Sequence, residues 1–278
     1  MGKFTGVLLA TDYDDTLYDR NFAISRENRR AIEAFIAEGG KFTVSTGRPY
    51  PNFAIQMERE DVPVNAPVIL SNGASIYDFA TNTVLWEKAL PEEAEQHLRE
   101  VCEVFPQVGF EAYCGNDIYT FRANEVTQLH LTRCHLSGRP RTLNTMPRPW
   151  LKVILQDEDT EELRRVQEYL LRRWPEWYEV TFSNHYLLEM TARGANKGNA
   201  VLWLADYLGI QRDNIYCVGN GLNDLPMLKV SAIPYAPANC YKEVRDWGAE
   251  ILTSCDESCI ARLVEQLDTR YQPASPNR

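Results

Sequence analysis

Apolar residues along this chain keep two rhythms. Near both ends, short unbroken apolar runs alternate with segments of helical period. GVLLAT (6–11) is continuous, which suits a strand covered on both faces of a parallel sheet. RENRRAIEAFIAEGG (26–40) sets Ala31, Ile32, Phe35 and Ile36 on one helical face and stops at Gly39-Gly40. KFTVST and APVILSN read as two further strands, with a helix within 49–60 between them. The alternation returns after 191. NKGNAVLWLADYLGI is a helix ending at Gly209, followed by a strand at 215–218 and a helix near 223–229. SAIPYA, YKEVRDWG, AEILT and a final helix at 257–267 complete the pattern. Such alternation predicts an α/β fold, a doubly wound parallel sheet with helices on both faces.

Between 83 and 190 the rhythm changes. TVLWEKAL, VGFEAYC, DIYTFRA, WLKVILQDE, YEVTFSN and YLLEMTA are strand-like, and several are close enough to pair as hairpins. PEEAEQHLREVCEVF and TEELRRVQEYLLRRW are helices, with a third at 124–136, and SGRPRTLNTMPRP (137–149) reads as a loop. No repeat is visible. The expected organisation is an α+β unit of residues 83–190 inserted into a core built from 1–82 and 191–278. Paired linkers near 80–84 and 188–196 would let the insert hinge.

Length supports two units, since 278 residues exceed the usual single domain. A net charge of −10 without a long basic run argues against nucleic acid and anionic membrane as main partners. No segment reaches the roughly 18–20 apolar residues of a membrane span. The N-terminus turns acidic too early for a signal peptide, and Gly6 stands where myristoylation needs Ser or Thr. The seven cysteines are scattered, and Cys255 and Cys259 lack a further Cys or His for zinc. Reduced thiols and a cytoplasmic location are expected. Oligomeric state is not legible.

Candidate chemistry gathers at strand ends. LLATDYDDTLYD places Asp12, Asp14 and Asp15 directly after the first strand, at the ligand-binding edge of such a sheet. Alone, the cluster is equally an acidic turn capping a helix. VSTGRP after the second strand, LSNGA after the third, Lys197 opening a helix, and VGNGLND after 215–218 could converge on the same crevice. Turns like Gly219–Gly221 commonly hold phosphates or metals. A metal loop wants carboxylates, yet position 220 is Asn and Asp224 is the acid. A dinucleotide turn is weak as well, because Asp224 replaces the third glycine and repels a pyrophosphate.

Together these residues resemble the haloacid-dehalogenase-like phosphohydrolases, in the Cof-like branch with a type IIB cap. The D-x-D-x-T motif matches Asp12, Asp14 and Thr16; the Ser/Thr motif matches Thr46 in TGRP; the Lys motif matches Lys197. G-D-x-x-N-D matches except at Asn220, and SNGA and NDLPML are present. The resemblance spans nearly the whole chain and implies a Rossmann-like core with the insert as cap. It implies Asp12 as nucleophile, forming an aspartyl-phosphate, and Asp14 as general acid and base. Thr46 and Lys197 would hold the phosphoryl oxygens. For magnesium it implies Asp12, the Asp14 carbonyl and Asn220, with Asp224 as a further acid able to reach the ion.

The implied activity is a magnesium-dependent phosphatase on a small phosphorylated metabolite, such as a sugar phosphate. A catalytically weakened phospholigand-binding protein, a phosphomutase or phosphotransferase, and a dinucleotide oxidoreductase remain alternatives. Arg48, Asn72, Gly73 and Asn223 fall at positions near phosphate and leaving group, although Asn72-Gly73 also suits a plain tight turn. Asp15 replaces the family's usual glycine and reads as a solvated turn carboxylate. Tyr13 reads as packed or touching the cap. His97, His130 and His135 read as cap surface or core. Arg122, Trp150, Lys152, His185 and Tyr186 are candidates to line the pocket.

Overall fold

A computed structural model describes residues 2–271 of the chain, so the outermost limits expected for the core lie outside the described residues. The first part of the α/β layer runs β1 (Leu8–Thr11), α1 (Arg26–Ala37), β2 (Lys41–Val44), α2 (Tyr50–Glu60), β3 (Val68–Leu70), β4 (Ser75–Asp78) and β5 (Thr83–Glu87). A second unit follows with α3 (Ala94–Val104), β6 (Gly109–Cys114), β7 (Asp117–Phe121), α4 (Glu125–Arg133) and β8 (Gly138–Pro140). It continues through β9 (Lys152–Gln156), α5 (Thr160–Arg173), β10 (Tyr178–Asn184) and β11 (Leu187–Ala192). The chain then returns to the first layer with α6 (Lys197–Leu208), β12 (Ile215–Val218), α7 (Leu225–Leu228) and β13 (Pro234–Ala236). It closes with α8 (Lys242–Trp247), β14 (Glu250–Ile251) and α9 (Cys259–Arg270).

β1 lies inside a five-stranded parallel sheet of order β14-β13-β12-β1-β2. Leu8 and Ala10 pack with Val201 and Leu204 of α6 on one face. Leu9 packs with Ile32 and Phe35 of α1 and Leu263 of α9 on the other. GVLLAT is unbroken because helices cover both sides.

β3, β4 and β5 form an antiparallel sheet, tied to β2 by a parallel bridge between Ser45 and Ile69. This corrects the placement of TVLWEKAL in the insert. Thr83–Glu87 pairs with Ser75–Asp78 because the turn at 79–82, with Asn82 at φ 53, folds the chain straight back.

The six-stranded sheet of the second unit has order β10-β11-β9-β6-β7-β8. β8 is a second correction. Gly138–Pro140, expected in a loop, pairs in parallel with β7 and covers part of that strand's edge. One face of the sheet is apolar: Phe110, Ala112, Val153, Leu155, Leu188 and Met190 pack with Leu98, Leu163 and Val166 of α3 and α5. Alternate positions on the same strands point the other way, and they include Glu111, Tyr113, Lys152, Gln156 and Glu189. Leu131 of α4 covers part of that face with Ile154. Among the described residues, no helix is long and apolar enough to cross a membrane.

Candidate active site

Because β1 and β12 are parallel and Thr11 lies opposite Val218, the chain leaves both strands at one edge. The Asp12 amide donates to the Val218 carbonyl at 2.8 Å, carrying the ladder one residue further. The Tyr13 ring turns into the core, stacking on Tyr18 and meeting Phe53 edge-on. Asp15 sits at φ 57, where glycine is unstrained and Asp is among the better-tolerated side chains. Its main-chain carbonyl accepts from Asn239 at 2.9 Å.

Asn196 caps α6 by accepting the Asn199 amide at 2.9 Å, which makes Lys197 the first helical residue. Its fully buried ammonium donates to Oδ1 of Asp12 and to Oδ1 of Asp224, each at 2.6 Å. The other Asp224 oxygen accepts the amides of Asn220 and Gly221, at 2.9 and 2.8 Å. Gly219 permits this closure, since a Cβ there would lie 2.5 Å from the Asp224 side chain. Asp224 is therefore corrected from candidate metal ligand to the residue that holds the loop and Lys197. Both oxygens are engaged inside the protein. The same bonds weigh against a dinucleotide turn, because amides that a pyrophosphate would use are already given to Asp224.

One ammonium between two carboxylates leaves an excess negative charge. Burial and the Asp224 charge push the Asp12 carboxyl up, Lys197 pulls it back, and the balance is about 7. For Lys197, burial opposes the charge, but Asp12 and Asp224 outweigh it and raise its pKa.

Arg48 grips the Asp14 carboxylate with two prongs, Nε to Oδ2 at 2.9 Å and Nη2 to Oδ1 at 2.6 Å. Its amide donates to the buried Thr46 hydroxyl at 3.1 Å, and its Nη1 to Asn52 at 2.8 Å. Asn72 accepts from Asn223 Nδ2 at 3.0 Å, while its own Nδ2 is buried without a partner among the described residues. Gly73 has φ 89, and a Cβ there would meet the Asn196 carbonyl at 2.3 Å. That close approach seats the 71–73 turn against the start of α6, so Asn72-Gly73 is more than a free-standing turn.

A cavity of about 800 Å³ opens on this edge. Asp12, Asp14, Arg48, Asn220 and Asn223 line it, whereas Thr46, Asn72, Lys197 and Asp224 stand buried behind. Of the second unit's candidates, Lys152 lines the cavity. It donates at 2.7 Å both to Glu189 and to the Gly47 carbonyl, and lies 4.8 Å from the Tyr113 ring centre. Trp150 is instead buried in the apolar core, Arg122 is turned to the Cys102 and Pro106 carbonyls, and Tyr186 is exposed outside the cavity wall. His185 stacks 5.6 Å from Tyr241, whose ring lines the cavity. His97 is half-buried, packing on Trp174 and bonding Tyr178 away from the cavity.

His130 and His135, read as cap surface or core, line the cavity. Tyr113, Arg133, Ser183 and Glu189 line it too and were not legible as site residues. A usable signal existed: Glu111 in VGFEAYC and Glu189 in YLLEMTA are lone acids within otherwise apolar strands. Such acids need buried partners.

The residues that would hold a cation at this edge offer oxygen alone: Asp12, Asp14 and Asn220, all of which line the cavity. Asn220 Oδ1 lies 3.3 Å from the Thr16 hydroxyl that donates to it. Among the described residues no group of three His, Cys, Asp or Glu forms a metal cage. The set therefore fits a hard ion that keeps several waters, as magnesium does. The excess negative charge on the Asp12 cluster fits one equally.

A family model described as haloacid dehalogenase-like hydrolase matches residues 9–264. The 5-amino-6-(5-phospho-D-ribitylamino)uracil phosphatase YwtE of Bacillus subtilis (strain 168) is 25% identical over 286 residues, covering 93% of this chain and 97% of that protein. A solved haloacid dehalogenase-like hydrolase from Bacteroides thetaiotaomicron has a TM-score of 0.78 at 23% identity, covering 94% of this chain and 99% of its own. The HAD subclass IIB sugar phosphatase BT4131 has a TM-score of 0.82 at 22% identity, covering 94% and 98%. These two structures share the fold over both units.

Proposed function

The chain belongs to the haloacid dehalogenase-like hydrolases and is an enzyme of their phosphatase kind, and from that premise we propose that it is a magnesium-dependent phosphatase. Its substrate is a small phosphorylated metabolite, such as a sugar phosphate, and its intermediate an aspartyl-phosphate. The observation that carries this reading is the buried Asp12–Lys197–Asp224 cluster, with its excess negative charge, opening on a cavity beside oxygen donors.

Asp12 attacks phosphorus with its carboxylate while the bond to the leaving oxygen breaks. Asp14 gives that oxygen a proton, then takes one from the water that attacks the aspartyl-phosphate, releasing phosphate and restoring Asp12. Lys197 and the Thr46 hydroxyl bear on the phosphoryl oxygens. Arg48, now held by Asp14, is within one side chain's reach of the same anion, so an arriving phosphate competes for it and frees Asp14 to act. Asn72 brings an amide donor without a partner among the described residues, and Asn223 fixes its side chain. Magnesium, held by Asp12, the Asp14 carbonyl and Asn220, would supply the positive charge that lets a carboxylate approach a phosphate. The named activities of the relatives, on a phosphorylated ribityl compound and on sugar phosphates, favour a polyol leaving group.

A second reading, a protein that holds its phospholigand and turns it over slowly, is favoured by Asn220 alone. Phosphate release from p-nitrophenyl phosphate and a sugar-phosphate panel, with magnesium or with EDTA, separates the two. Release that needs magnesium and disappears in Asp12→Asn supports the phosphatase. Undiminished release in EDTA, or from a folded Asp12→Asn protein, overturns the mechanism, and ligand binding without release favours the second reading.

A further inference from the structure

The cavity wall furnished by α4 carries cations that the reaction above does not use. His130, Arg133 and His135 all line the cavity near the helix's C-terminal end. The other cations on the wall already face carboxylates: Arg48 faces Asp14, Lys152 Glu189, Arg20 Asp256 and Arg59 Glu60. Arg133 is exposed and forms no ion pair with any described residue. His130 is held differently. Its Nδ1 lies 2.9 Å from Oε1 of Glu111, a fully buried carboxylate on β6.

Glu111 also accepts from the Tyr113 hydroxyl at 2.6 Å and from Gln156 Nε2 at 2.7 Å, and Thr127 in turn donates to Gln156 at 2.7 Å. A carboxylate buried in a sheet is unfavourable unless its partners are charged or numerous. Burial works against a charged His130 ring, but its contacts with Cys134 and Glu111 outweigh burial and push it up to about 10. Cations in a last helical turn also offset the carbonyl end of the helix. That accounts for residues at 130 and 133, but not for an acid placed in the sheet behind the ring. The arrangement fixes the charged His130 ring at the cavity wall in a pair that is neutral overall, and it leaves Arg133, one turn on, as the uncommitted cation.

The whole chain carries a net charge of −10, so its long-range field opposes an anionic substrate and local cations must reverse it. A cavity of about 800 Å³ leaves room beyond one phosphate for a small leaving group. Resting on the phosphatase reading, we propose that the leaving group carries a second anionic group, a carboxylate or second phosphate, bound by His130 and Arg133 while Asp12 reacts at the first phosphate. Glu111 is then a positioning residue, acting through His130.

Matched esters test this in steady-state kinetics with magnesium: glucose 6-phosphate against 6-phosphogluconate, and fructose 6-phosphate against fructose 1,6-bisphosphate. The acidic member of at least one pair should show roughly tenfold higher kcat/KM, mainly through KM, the size of one charge-assisted contact. The pair showing the larger preference identifies the anion. In Arg133→Gln and in His130→Gln the ratio should fall towards one. Glu111→Gln should raise KM for the acidic ester more than it lowers kcat. Equal turnover of neutral and acidic esters, or a preference unchanged in both α4 variants, overturns the inference while leaving the phosphatase intact. Failure to hydrolyse any ester overturns both.

Discussion

Two buried lysines, one in each unit, show how differently this protein uses internal charge. Lys197 lies between two carboxylates of the core, Asp12 and Asp224, and leaves the cluster one negative charge in excess. Lys152 has a single carboxylate, Glu189, and gives its other hydrogen bond across the cavity to the Gly47 carbonyl. The cap pair is balanced, and its remaining donor reaches the TGRP loop. Asn52 makes a second crossing, to the Cys134 carbonyl at 2.5 Å. An unbalanced buried cluster attracts a cation and favours phosphoryl chemistry, whereas the Lys152–Glu189 pair, bonded across to Gly47, chiefly sets where the cap rests on the core.

Removing the charge at the reacting end of the core cluster should have the largest effect. Asp12→Asn keeps a hydrogen-bonding side chain beside Lys197 but cannot form an acyl phosphate. Turnover should fall about 10⁴-fold or more, as loss of a nucleophile does. Phosphate release from protein with an unchanged circular dichroism spectrum checks this. A folded variant within tenfold of the parent would break the core half of the comparison.

Lys152→Met probes the other lysine. It strands the buried Glu189 carboxylate and should lower stability by about 2–4 kcal/mol. Urea titration measures the loss, and kinetics should show a rise in KM larger than any change in kcat. If kcat collapses while stability holds, Lys152 acts in the chemistry and the contrast with Lys197 is wrong.

Asn220→Asp sharpens the contrast by adding a second excess negative charge to the core edge. Magnesium should bind about ten- to a hundredfold more tightly, the effect of one charge near 4 Å after desolvation is subtracted. Calorimetric titration with magnesium reads it directly, and the concentration needed for half-maximal activity should drop in parallel. Unchanged values in both would show that position 220 does not face the ion.

Asp15→Gly should have the smallest effect. Glycine relieves the left-handed backbone at φ 57 and should stabilise the protein by about 0.5 kcal/mol. Burial and the neighbouring Asp14 raise the Asp15 carboxyl above its ordinary range. The folded state thus holds that proton more tightly than the unfolded chain, and stability is lost as pH rises through the ordinary carboxylate range towards the raised value. In metal-free protein the gain from glycine should therefore be larger at neutral pH than in acid. A gain independent of pH would assign the whole effect to the backbone.

Much of the candidate site was legible because its signals are local. An apolar run followed by Asp12 and Asp14, a strand ending in Thr46, and a helix opened by Asn196-Lys197 each lie within a few residues of one another. The strands VGFEAYC, WLKVILQDE and YLLEMTA were likewise legible as strands, and Lys152 as a pocket candidate, while the polar face they share was not. Residue type and period are enough for such statements, because a strand or helix repeats its geometry along the chain.

Pairing across the fold was decided only in three dimensions. Asp224 reads as a metal acid until Lys197, 27 residues earlier, takes one oxygen and the loop amides take the other. Glu111 and His130 are 19 residues apart, and Lys152 and Glu189 are 37 apart. Lys152 reaches Gly47 across 105. Thr83–Glu87 looked like a strand of the insert because its composition specifies a strand without naming a neighbour. A buried charge determines that it must have a partner; which residue fills that place depends on how sheets and helices pack, and sequence spacing does not encode that distance.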